Sequence, residues 1–168
     1  DRLNKEIETV NENSRESVDA FLVLSEKKLR TFNDNLVLFI VANSHNAWTL
    51  SELVNKLDQL ESARVAADTA GFNAVLNQIN EIVGKMSVPN GVAAGIFLDD
   101  GITAIRRDGL INVTRAGAKV RVTDYSQFTN DAEAQTAITN ARATITTSLN
   151  AVLARAEAAE KLRQVTKK

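Results

Sequence analysis

Apolar residues recur along this chain in steps of three and four, and the places where that rhythm fails divide it into segments. Leu3, Ile7 and Val10 begin a stripe that lapses to Ser14 and Ser17 and resumes at Phe21, Leu24 (or Leu22), Leu29, Phe32, Leu36 and Phe39. Such spacing lines one face of an amphipathic helix, and it predicts a first helix over residues 2–46. A polar layer such as the two serines can fix register in a helical seam at some cost in stability. From Leu36 to Ala42 the residues are apolar around the whole helical circumference. Val and Ile there would also suit a buried strand, but the run continues a helical pattern without a turn signal, so it is expected as a helical turn enclosed on several sides or meeting a partner subunit, with Leu36, Leu38, Phe39 and Ile40 as candidate self-association residues.

The cluster Asn43, Ser44, His45 and Asn46 reads as a break, because these side chains compete with helical hydrogen bonding. Thr49 followed by Glu52 then has the spacing of a capping box. A second helix is expected over residues 50–86, striped by Leu50, Leu53, Leu57, Leu60, Phe72, Val75, Ile79, Ile82 and Met86, with Gly84 as a candidate terminator.

Pro89 is the only proline, and five of the seven glycines fall between it and Phe128. Turn signals at Asp99-Asp100-Gly101, Arg107-Asp108-Gly109 and Arg115-Ala116-Gly117 separate short apolar runs. Asp-Gly between such runs is a strong hairpin signal, so a meander of up to four short strands is expected, at Ile96 to Leu98, Ile102 to Ile105, Leu110 to Val113 and Lys119 to Thr123. Helical spacing returns after Asn130 and Glu133, a cap-plus-acid pair. It continues through Ile138, Ala141, Ile145, Leu149, Val152, Ala156, Ala159 and Leu162. Helices of this length extend roughly 55 Å at 1.5 Å per residue, so the second and third match. The expected fold is mainly α, an elongated antiparallel three-helix bundle with a small β-meander inserted between helices two and three. Residues 1–88 and 129–168 form the bundle and 89–128 the insertion at its tip, in one folding unit.

Composition narrows the function classes. The net charge is −1 and the chain has no cysteine and one histidine, so it offers no thiolate metal site, no thiol nucleophile and no global attraction to nucleic acid. His45 lacks partners for a zinc site or a catalytic triad. Asp99 and Asp100 are accounted for by turn chemistry. With no phosphate loop or nucleophile elbow in the sequence, the chain is expected not to be an enzyme and to need no cofactor or metal. Met86 is the only methionine, so the chain is expected to be processed or part of a longer one. No apolar run approaches the ~20 residues of a membrane-spanning helix.

Two local features offer contacts. Arg106, Arg107, Arg115, Lys119 and Arg121 gather around a single acid, Asp108, and form a candidate anion or partner contact as an alternative to a solvated β face. The run containing Val92, Ile96, Phe97 and Leu98 is apolar, either core beneath the meander or a membrane tongue. An apolar tongue between long helices resembles the layout of α-helical pore-forming toxins, and terminal helices flanking a β element resemble that of filament and virion proteins. The resemblances are of layout and rest on no motif. The reading expected from all this is a structural or assembly protein that is a homo-oligomer or packs with a protein partner. A membrane-active protein or an anion-binding module are the alternatives, and nucleic acid is not expected as a partner.

Overall fold

The computed structural model describes the backbone of residues 2–86 and 101–166 and the side chains of residues 26–86 and 101–165. The chain is mainly helical, with four helices and one two-stranded antiparallel sheet among the described residues. Helix α1 spans Arg2–Val65, α2 Thr69–Lys85, α3 Ile102–Asp108 and α4 Asp131–Thr166; strands β1 (Asn112–Arg115) and β2 (Ala118–Arg121) lie between α3 and α4.

The predicted break at Asn43 to Asn46 does not occur. α1 runs through it as one helix of 64 residues, and Thr49 is an interior residue rather than a cap. Its buried positions Leu36, Phe39, Asn43, Asn46, Leu50, Leu53, Leu57 and Leu60 keep one heptad phase across the expected gap. The asparagines occupy seam positions, so packing overrides their weak helix preference. Local bonds also reconcile the polar side chains with the helix: Asn43 Nδ2 donates to the Phe39 carbonyl at 2.8 Å and Thr49 Oγ1 to that of His45 at 3.0 Å.

The chain reverses instead at Ala66, Ala67 and Asp68, without glycine or proline. Ala67 adopts φ +55°. The Asp68 N–H donates to the Ala63 carbonyl at 2.9 Å and the Ala67 N–H to that of Arg64 at 3.1 Å, the bond pair of a Schellman ending. Asp68 then caps α2, its Oδ1 accepting the Gly71 N–H at 2.9 Å. A Cβ on Gly71 would lie 2.2 Å from the Asp68 carboxylate, so a larger residue there would make the capping side chain shift. The residues expected to form one helix over 50–86 are thus split between the end of α1 and α2. Gly84 lies within α2, which ends one residue later at Lys85.

Both α2 and α4 pack on α1. The Lys56–Gln78 bond of 2.8 Å runs between α1 and α2. Arg64–Asp131 at 2.7 Å and the Asp58–Arg142 pair join the end of α1 to the beginning of α4. At the other end Leu36 and Phe39 cluster with Ala159, so α4 runs antiparallel to α1.

The expected meander is reduced to a single hairpin among the described residues. Ile102 to Ile105, expected as a strand, lies in α3, where residues spaced by three bury together at 0% and 2% exposure. Gly101 at φ +81° and Gly109 at φ +85° bound that helix, so two glycines assigned to hairpin turns serve as helix ends. The third turn holds: Ala116 and Gly117 take φ +51° and +82° between β1 and β2, the pair of positive angles that suits strand twist. Val113 sits opposite Val120. The hairpin and α3 share one apolar core with α1, α2 and α4. Phe72, Tyr125 and Phe128 meet edge to face within it, with ring centroids 5.1–6.2 Å apart. The expected start of the last helix is found, with Asn130 Oδ1 accepting the Glu133 N–H at 2.8 Å. The expected strand Ile96 to Leu98 and the turn at Asp99 and Asp100 lie outside the described residues.

Candidate interaction surfaces

The apolar turn of α1 divides into two faces. Leu36 and Phe39 are buried against Ala159 of α4, and Ile40 packs at the edge of that cluster. Of the four candidate self-association residues only Leu38 points outward, at 68% exposure, accompanied by Val37, by Val41 at 61% and by Trp48 at 66%. Leu38, Val41, His45 and Trp48 follow each other at steps of three and four, a second stripe on the face turned away from the core. The His45 and Trp48 rings stack with centroids 6.3 Å apart. The outward position of Val41 was missed in the sequence because the run from Leu36 to Ala42 was read as one undivided turn; separating its two heptad phases finds it, and the outward phase continues to Trp48.

Beneath this face lies a polar layer. Asn43, Asn46, Thr49 and Ser148 are the buried polar residues among those described, and all four fall in adjacent turns of α1 and α4. Asn43 Oδ1 is buried without a hydrogen-bond partner. Leaving such an atom unpaired costs stability, so this layer is held in place by the packing on either side of it.

Four of the five basic residues have partners within the chain. Arg115 donates twice to Glu133, at 2.6 and 3.1 Å, and also to the Gln127 carbonyl at 3.0 Å, tying the hairpin to the first turn of α4. Arg121 donates to the Arg106 carbonyl at 2.7 Å and passes so close to Gly109 that a Cβ there would lie 2.7 Å from its Nε. Arg107 pairs with Asp108 at 2.9 Å, and Lys119 lies 3.6 Å from the same carboxylate. Arg107, foremost by its hydrogen bond, holds the Asp108 carboxyl below the usual aspartate range. Glu133 is likewise lowered, first by Arg115 and then by the Thr129 N–H. The Arg106 side chain is exposed.

A cavity of about 420 Å³ opens at the α1–α2 reversal, lined by Arg64, Asp68, Thr69, Phe72, Tyr125 and Asp131 among others. Three of its polar groups are engaged with one another. Arg64 contacts Glu61 and Asp131, and the Tyr125 hydroxyl donates to Asp131 at 2.8 Å. The Glu61 carboxylate, more than Asp131, raises the Arg64 pKa and keeps it charged. The cluster closes the turn of the bundle.

Among the described residues no group of three or more His, Cys, Asp or Glu is placed to hold a metal ion, and no helix is long and apolar enough to cross a membrane. Val92, Ile96, Phe97 and Leu98, the candidate tongue, lie outside the described residues. No family model matches the chain, and neither a curated protein nor a solved structure does.

Proposed function

We propose that this chain is a non-enzymatic structural or assembly protein, a helical rod that packs with copies of itself or with a partner protein. The observation that carries this reading is the outward stripe of α1, where Leu38, Val41 and Trp48 are each more than 60% exposed on neighbouring turns. A cluster of large apolar side chains held open on a rigid element is what an association surface requires. The supporting pattern is that Arg115 and Arg121 at the hairpin, and Arg64 and Tyr125 at the reversal, are tied to partners within the chain.

Light scattering on the purified chain tests this reading. An assembly heavier than the 18.3 kDa chain, with a mass that rises with concentration, supports it. A strictly monomeric chain at high concentration that also captures no partner protein overturns it.

A further inference from the structure

α1 is longer than anything that packs against it among the described residues. Ala159 sits at the level of Leu36 and Phe39, so Thr166, about two turns further on, comes level with about residue 30 of α1. The burial pattern agrees. Residues 26–31 are all exposed, and Leu29, on the same heptad phase as Leu36, is 44% exposed. Among the described residues the intramolecular seam therefore ends near Phe32, while the helix continues back to Arg2. An amphipathic helix draws most of its stability from packing its apolar face, so this half of α1 offers a face on which another helix can pack.

The sequence of that half fixes where the helix would sit. The heptad position of Leu38 recurs at Leu24, Val10 and Leu3, with Thr31 and Ser17 between them, and the position beside it holds Phe21 and Ile7, with Asn35, Lys28 and Ser14 between them. This ridge does not coincide with the Leu36 and Phe39 face that meets α4. It passes instead onto the outward face, where Leu38 is 68% exposed.

Charge selects both partner and direction. Residues 12–19 carry three acids, Glu12, Glu16 and Asp19, against one base, whereas residues 26–33 carry three bases, Lys27, Lys28 and Arg30, against one acid. The apolar turn from Phe21 to Leu24 lies between the two blocks. Two copies paired in parallel would oppose like charges at each level, whereas antiparallel pairing about that turn lays each acidic block on a basic one. In that register Ile7 meets Leu38, Ser14 meets Thr31 and Phe21 meets Leu24, each residue facing the complementary heptad position.

We infer that a second copy of this chain docks antiparallel along residues 3–42 of α1, with Leu38 of each protomer against Ile7 of the other. This rests on the assembly reading and names its partner. The dimer so formed has a seam of about 60 Å.

The chain lacks cysteine, so engineered pairs report the register without background. In the double variant Ile7→Cys/Leu38→Cys the two thiols of one chain are separated by about 46 Å of helix, too far for an internal disulfide. Mild oxidation is expected to convert it to a covalent dimer, and to leave each single variant uncrosslinked. The gentler pair Ser14→Cys/Thr31→Cys gives the same result without removing an apolar residue. Crosslinking of the single variants would establish parallel pairing and overturn the inference. An oligomer that yields no crosslink in either pair would overturn it while leaving the assembly reading intact. A monomeric chain that captures no partner protein overturns both.

Discussion

Ala67 pays a conformational cost at the turn between α1 and α2. Its φ of +55° is a left-handed angle that a Cβ disfavours and glycine accepts. Ala67→Gly is predicted to stabilise the fold by about 0.5–1 kcal/mol, the larger strain relief being partly offset by the greater freedom of glycine in the unfolded chain; urea unfolding measures it, and a loss of stability would contradict the strain. Asn43 is the second such residue. Its Oδ1 is buried without a partner, so Asn43→Leu is predicted to raise stability by about 1 kcal/mol or more, read in the same way. If instead the variant unfolds more easily, the atom has a partner in solution and the layer is satisfied. Neither site was legible beforehand. Ala66-Ala67 carries none of the usual turn residues, and the asparagines were read by local preference although their spacing from Phe39 and Leu50 already continued the heptad.

At the scale of elements, the parts read most accurately are those whose local chemistry and packing agree. The start of α4 at Asn130 and Glu133 and the hairpin turn at Ala116-Gly117 were visible because cap and turn residues specify them directly. α3 was missed because a glycine after an acid suits a helix end as well as a hairpin, and the spacing of Ile102 and Ile105 by three distinguishes the two. The basic residues were legible as a cluster, but their partners were not, since Arg115 reaches Glu133 across 18 positions of sequence. This tie makes the hairpin sensitive to acid. Glu133 is held below its ordinary value by Arg115 foremost, so its contribution is complete above the unfolded-state value of about 4.3 and is lost as the pH falls through the lowered folded-state value. Asp108, lowered by Arg107, and Asp124, lowered by the Ser126 N–H, act with the same sign. The melting temperature is predicted to fall below about pH 4, and Glu133→Gln to flatten that fall; an unchanged profile would remove Glu133 from the account. Arg115→Ala is expected to accelerate amide exchange in residues 112–121 while leaving α1 near Leu53 and Leu57 protected. Uniform acceleration would show that the hairpin is not a separable unit.

At the scale of the whole molecule, α1 is the frame. α2 and α4 fold back along its second half, α3 and the hairpin complete that core, and the first half extends past the end of α4 with its own apolar ridge. The stripe was readable in the sequence, but the length of α1 was not, since the expected break at Asn43 to Asn46 cut it short; nor was the division of labour along the helix, because it depends on where α4 ends relative to α1 and hence on a register set by contacts such as Leu36 with Ala159. The central claim, that the free ridge of α1 is an association surface, is tested most directly by sedimentation velocity on the native chain and on Leu38→Glu side by side. Leu38 is 68% exposed, so the substitution leaves the intramolecular core untouched, and circular dichroism is expected to report the same helical content. The account predicts twice the 18.3 kDa chain mass for the native protein and the single-chain mass for the variant at the same concentration. Equal masses for the two, whether monomer or oligomer, would contradict it.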